Sequence, residues 1–219
     1  DAVRVVVIRG AGAHFCAGHN LKEMAARRSD ADGGLGYFRA LFQTCSEVML
    51  RMTQLPQPVI AEVSGIATAA GCQLVAACDL AVASNDARFA TSGVNIGLFC
   101  STPLVALSRT VARKHAMEML LTGGFIDAQQ AVGMGLVNRA VPGDELADAT
   151  RQLAMDIASK TPAAIKVGKR LFYDQATLSM EEAYAMAGEV MACNMMADDT
   201  TAGIDAFINK RPLPEWRGK

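Results

Sequence analysis

The chain reads as an α/β protein, with βα units first and a helical region from about residue 144 to the end. Three observations predict this. Val3-Arg4-Val5-Val6-Val7-Ile8-Arg9 is β-branched and nearly continuous, the pattern of a strand buried on both faces of a parallel sheet. The stretch Pro58 to Asp79, PVIAEVSGIATAAGCQLVAACD, runs from an apolar strand through small residues into a helix. Beyond residue 104 the pattern turns helical and stays so, apart from one short strand.

Taken in order, Gly10-Ala11-Gly12 ends the first strand, and residues 14–23, HFCAGHNLKE, form a loop leading into a short helix. Residues 27–36, RRSDADGGLG, are polar and glycine-containing, which predicts a flexible surface connection. From Leu35 to Leu55 apolar residues recur at three- and four-residue steps, so a long amphipathic helix is expected, stopped by Pro56 and Pro58. Val59–Val63 is then a buried strand, Ser64-Gly65 breaks it, and Ala69-Ala70-Gly71 starts a helix. Backbone N–H groups at such a helix start have no intrahelical partner, and the helix dipole adds positive charge. The turn either holds an anion or oxyanion, or its small residues serve tight helix–sheet packing. Asp79–Ser84 and Arg88–Thr91 read as strands, and Gly93–Pro103 as a loop without helical period.

Helices follow at Arg113–Leu121 and from Asp127, an aspartate N-cap, to Gly133 and Gly135. Val137–Val141 is a short strand, and helices are expected at 144–159, 162–175, 179–197 and 199–209. Thr161-Pro162 supplies an N-cap and an N1 proline to the second of these. The methionines of this region read as core or subunit-contact filler.

With 219 residues, net charge −1 and half its residues apolar, the chain has the make-up of an ordinary globular protein. No basic stripe points to nucleic acid, and no apolar run is long enough to span a membrane. The six cysteines lack zinc spacing and histidines number only three, so no metal site is expected. Free thiols at Cys16, Cys72 and Cys78 in apolar or small-residue surroundings favour a reducing compartment, cytoplasm or, in a eukaryote, the mitochondrial matrix. The chain opens with Asp1 almost inside a strand and shows no signal-peptide pattern, so an incomplete or trimmed N-terminus is expected.

FCAGHNLKE, PVIAEVSGIATAAGCQLVAACDLAVAS, ARFATSGVNIGL, AMEMLLTGGFIDAQQAVGMGLVNRAVP and GIDAFINKRPLPEW occur in collinear order. Together they resemble the crotonase superfamily, the enoyl-CoA hydratase/isomerase family, over essentially the whole chain. Within it, the pairing of GCQLVAACD with GVNIGLFCSTP is most similar to the branch of enoyl-CoA hydratase domain-containing protein three. The resemblance implies repeated ββα units in a crotonase core, 1–143, lacking its N-terminal part. It also implies a helical oligomerisation region, 144–219, that makes a homo-trimer or a dimer of trimers. The substrate would be an acyl-CoA thioester, coenzyme A being part of it, with no separate cofactor, no nucleic acid and no membrane as partner.

The family's device is a pair of backbone N–H groups that stabilise a thioester enolate. By position they fall at His19, after Ala17-Gly18, and at Ala70, before Gly71. Alanines at 69 and 70 are expected to sit at the negative φ of an ordinary helix start. The His19 side chain either touches the acyl group or hydrogen-bonds its own loop. Lys22 matches a lysine near the adenosine of coenzyme A, and Lys210 with Arg211 suits its phosphates. Asn95, Ser101 and Thr102 are expected on the pocket rim as substrate contacts. The two glutamates with which hydratases activate water fall at Gln73 and Gly93. Glutamine orients water without titrating and glycine has no side chain, so neither position supplies general acid–base catalysis. An acyl-CoA enzyme with weakened hydratase chemistry is the reading that results. A non-catalytic acyl-CoA binder, or another crotonase reaction such as isomerisation, thioester hydrolysis or decarboxylation, is the alternative.

Overall fold

The computed structural model describes residues 3–218; Asp1, on which the expectation of a trimmed N-terminus turns, lies outside them. The chain forms two compact units, a larger one from Val7–Met52 and Val59–Gln152, and a smaller one from the chain up to Val6, Thr53–Pro58 and everything from Leu153 on.

In the larger unit, β1 (Val6–Arg9), β2 (Val59–Val63), β4 (Leu80–Ser84) and β7 (Arg139–Val141) make a four-stranded sheet in the order β1-β2-β4-β7. β2 and β4 run parallel with Ile60 opposite Leu80, and β4 and β7 run parallel with Val82 opposite Arg139. Val59, Ile60, Ala61 and Val63 have no exposed surface, which accounts for the apolar character of β2, interrupted only by the partly exposed Glu62. Two side chains close strand ends: Asp79 accepts from the Val59 N–H at 2.7 Å, and Asn138 from the Ala81 N–H at 2.8 Å. A second, three-stranded sheet has the order β3-β5-β6, from Ile66–Thr68, Arg88–Ala90 and Ile126–Asp127.

The helices of this unit are α1 (Leu21–Ala26), α2 (Leu35–Gln54), α3 (Ala70–Ala77), α4 (Ser101–Thr110), α5 (Arg113–Thr122) and α6 (Ala128–Met134). Asp127 caps α6 as expected, in a reciprocal box with Gln130.

Three expectations change. The chain does not turn straight from β2 into a helix, because Ile66–Thr68 forms β3, held by parallel pairing with β5 and by a bridge between Cys16 and Ala67. Those partners lie far away in sequence, so no local pattern announces them. The connection at 27–36 is structured: Arg27–Ser29 is a 3-10 turn, and Asp32 accepts from the N–H groups of Gly34 and Gly36 ahead of α2. Within Gly93–Pro103, Ser92–Ile96 is a 3-10 helix and α4 already begins at Ser101. Pro103 fits there because a helix's first turn has no intrahelical use for its N–H.

The smaller unit carries the end of α7 (Leu146–Ala158) with α8 (Pro162–Gln175), α9 (Met180–Met195) and α10 (Asp198–Ile208). Thr161 precedes α8 but does not cap it; its hydroxyl donates instead to Asp199 at 2.6 Å. Asp199 also accepts from the N–H groups of Arg217 and Gly218, and Trp216 donates to the Ser159 carbonyl, so the C-terminal tail is tied down. Met180, Tyr184, Met191, Met196, Phe207 and Ile208 are exposed on α9, on α10 and at their ends.

Candidate active site

The site grows from the junction of β3 and α3. The Thr68 N–H donates to the Cys16 carbonyl at 3.0 Å, and the Ala69 N–H donates to the Ala90 carbonyl at 3.0 Å. Pinned at both bonds, the chain must swing into the helix within one residue. Ala69 does so at φ +50°, ψ −117°. The expected negative φ is therefore corrected at this position. A Cβ there costs on the order of 1–3 kcal/mol, held by the ladder on one side and the helix on the other. Ala70 is the first residue of α3, so its N–H has no acceptor inside the helix.

Opposite this turn runs Cys16–His19. A Cβ on Gly71 would meet the Cys16 carbonyl oxygen at 2.0 Å, so glycine alone allows this approach. Gly18 turns at φ +90°, and a Cβ on it would lie 3.2 Å from the Ala69 methyl and 3.4 Å from the Ala70 nitrogen. The backbone leading to His19 thus passes beside the Ala70 N–H. Neither the His19 nor the Ala70 amide donates to an acceptor among the described residues.

Both residues line a cavity of about 370 Å³. Its walls come from Ala17, His19 and Leu21, from Met24 on α1, Phe42 on α2, Ala69-Ala70, Ser92-Gly93 and the segment from Ile96 to Pro103. The lining is mainly apolar, and no carboxylate belongs to it. The His19 ring stands edge-on to Phe42, centroids 5.7 Å apart, in place of a hydrogen bond to its loop. The Thr68 and Ser92 hydroxyls lie 2.9 Å apart at the end of β3.

Of the other residues singled out in the sequence, Ala17, Gly93, Ser101 and Thr102 line the cavity. The Ser101 hydroxyl is occupied by the Phe99 carbonyl at 3.3 Å. Gln73 is outside the lining: it is buried on α3 at 3% exposure, with Oε1 3.9 Å from the Cys45 sulfur. Gly93 has no room for a side chain, since a Cβ would sit 2.3 Å from the Leu98 carbonyl oxygen. Asn95 donates to the Gly123 carbonyl at 3.1 Å and lies outside the lining. Lys22 is exposed on α1, its own N–H held by the capping Asn20. Lys210 is exposed at the end of α10 in the smaller unit, and Arg211 is paired with Asp205.

Sequence reasoning missed Leu21, Met24, Phe42 and Ser92. Phe42 sits on the apolar stripe of α2 and carries no signal that separates a cavity wall from core.

The Cys72 and Cys45 thiols are not poised for attack. Burial, with Cys100 nearby, pushes the Cys72 thiol up to about 12, and burial, with Cys16 nearby, raises Cys45. A nucleophilic cysteine needs the opposite shift. No group of three or more metal-ligating side chains occurs among the described residues.

The family model for enoyl-CoA hydratase/isomerase matches residues 1–219. The mitochondrial enoyl-CoA hydratase domain-containing protein 3 of Rattus norvegicus is 46% identical over 216 residues, 99% of this chain and 70% of that protein. Among solved structures, an enoyl-CoA hydratase of Mycobacterium smegmatis superposes with a TM-score of 0.92 at 55% identity, covering 98% of this chain and 81% of that one. Human enoyl-CoA hydratase domain-containing protein 3 gives 0.91 at 46% identity, covering 97% and 82%. The fold, the collinear motifs and these matches agree: the chain belongs to the enoyl-CoA hydratase/isomerase family.

Proposed function

We propose that the cavity receives the acyl group of an acyl-CoA thioester, with the thioester oxygen between the His19 and Ala70 N–H groups. The supporting observation is a pair of backbone donors without acceptors on the wall of an apolar cavity. When the α-carbon loses a proton, negative charge moves onto that oxygen, and donors fixed in advance stabilise it without reorganising. Each such donor is worth roughly 10²–10³ in rate. Lys22 is the proposed contact for the nucleotide of coenzyme A, which arrives as part of the substrate, and Lys210 is proposed to meet the phosphates of coenzyme A bound to a neighbouring subunit.

Hydration also requires a base for water and an acid for the α-carbon. No carboxylate lines the cavity, so the protein handles thioester enolates without efficient water addition. The same observation favours a second reading, an acyl-CoA binder without turnover. In either case the exposed apolar residues of α9 and α10 are the proposed contacts of a trimer-based assembly.

The test replaces the Ala70 amide by an ester, which deletes the donor and leaves the backbone shape. A bound 3-oxoacyl-CoA should form its enolate at lower pH on the native protein, and the ester variant should lose about 10² of that stabilisation. An identical ultraviolet titration of ligand on both proteins defeats the role of Ala70. Turnover across a panel of thioesters separates enzyme from binder, and light scattering showing a stable monomer at micromolar concentration removes the trimer.

A further inference from the structure

A second cavity, of about 340 Å³, lies wholly within the smaller unit and shares no residue with the candidate active site. Separate stretches of chain wall it, and hydrogen bonds tie them together. The Arg4 guanidinium donates to the Lys160 carbonyl. The Gln57 side chain donates to the Val3 carbonyl at 3.4 Å, and the Gln57 carbonyl accepts from Lys169 at 2.9 Å. The Trp216 indole donates to the Ser159 carbonyl at 2.8 Å, and the Gly218 N–H donates to Asp199. The walls are thus set before a ligand arrives, which spares it that ordering cost. Their charge is one-sided. The chain carries 21 basic and 22 acidic residues, whereas this lining has Arg4, Lys166 and Arg217 and, among the described residues, no carboxylate. Lys166 and Arg217 make no ion pair among the described residues. Asp199 feels the charge of Arg217, but its carboxylate is already held by Thr161 and by the N–H groups of Arg217 and Gly218. Even counted against Arg217, it leaves the other two cations without a counter-charge on the wall.

We propose that this cavity binds a small organic anion with two or three negative charges on oxygen, a phosphate ester or a di- or tricarboxylate. Two guanidinium groups suit such oxygens because each can grip an oxyanion through paired N–H bonds, and the Lys166 ammonium adds a third charge. A monoanion compensates one cation and leaves the others repelling across a confined space. Ile157, Ile165 and Trp216 supply apolar wall, which a carbon body covers and a bare inorganic ion does not. The volume stands at the small end of ligand sites, which suits a compact molecule. The site is independent of the acyl-thioester reading, since the two cavities have no wall in common.

The experiment is calorimetric titration of the chain, at fixed ionic strength, with citrate, glycerol 3-phosphate and, as the monoanion, acetate. Citrate or glycerol 3-phosphate should bind at least about tenfold tighter than acetate, and the tighter of the two assigns the carboxylate or the phosphate class. Lys166→Gln and Arg217→Gln should each weaken that ligand about tenfold, and Lys166→Glu should abolish its binding. Both side chains are exposed, so these variants should melt with the native protein when no ligand is present. Lys114→Gln removes an exposed lysine from the larger unit and should leave the affinity unchanged. Three results overturn the proposal: neither polyanion binding tighter than acetate, an affinity untouched by Lys166→Gln and Arg217→Gln, or an equal loss in Lys114→Gln, which would assign the binding to diffuse charge.

Discussion

A methyl group on Gly71 would stand 2.0 Å from the carbonyl oxygen of Cys16, so the first turn of α3 and the segment leading to His19 are locked at a distance only hydrogen allows. The obstacle is backbone, itself bound by the Thr68 N–H. Gly71→Ala should therefore cost about 1–3 kcal/mol or more, lowering the melting temperature by several degrees. It should also separate the two amides and weaken acyl-CoA binding. Calorimetric melting together with ligand titration checks both; a variant with native stability and affinity means the two segments yield freely.

Ala69 presents the reverse case. Its φ of +50° disfavours any Cβ, while its neighbours hold it in place. Ala69→Gly should relieve the strain and raise stability by about 1 kcal/mol, offset in part by the greater freedom of glycine in the unfolded chain. That corresponds to roughly 2–4 °C in melting temperature. The same ψ of −117° argues against proline at 70, because a residue before proline is pushed to the extended region. A drop in melting temperature for Ala69→Gly would show that the alanine conformation is relaxed.

Water addition to crotonyl-CoA should be slow. Without a carboxylate on the cavity wall, the reaction lacks the 10²–10⁴ that a positioned pair of acid–base groups contributes, and kcat/KM should fall below about 10⁶ per molar per second. A glutamate pair at 73 and 93 is blocked at one end, since a side chain at 93 meets the Leu98 backbone at 2.3 Å. Gln73→Glu with Gly93→Glu is expected to disturb the 92–100 segment and to yield no gain in rate. Loss of enoyl absorbance with native and doubly substituted protein reads this directly; efficient native turnover would show that another residue moves the proton.

Asp199 ties the C-terminal tail to the start of α8. Burial opposes its ionisation, but donors from Thr161, Arg217 and Gly218 outweigh it and hold the carboxyl below its ordinary value. The folded pKa is the lower one. Its stabilisation is thus complete above the unfolded value of about 3.9 and is lost as pH falls through the folded value. At neutral pH Asp199→Asn should melt several degrees below the native protein, with the gap narrowing from pH 4 downward. A gap that stays constant to pH 2 would assign the loss to packing.

Much of this molecule is written locally. The helix over Leu35–Gln54 follows from its apolar spacing and the prolines after it, the buried strands from their nearly continuous β-branched and apolar runs, and the α6 cap from Asp127. The family follows from motifs in collinear order, because many weak local matches multiply. The sequence by itself determined the α/β class, most of the helices and strands from α2 onward, and the presence of glutamine at 73 and glycine at 93, neither of which titrates. Only the tertiary structure decided that Ile66–Thr68 is a strand, that Ala69 turns at positive φ, and that Phe42 and Ser92 share a cavity while Gln73 faces Cys45. The physical reason is reach: helix periodicity and capping act over a few residues, whereas strand pairing, backbone strain and cavity walls depend on atoms that long-range folding brings together.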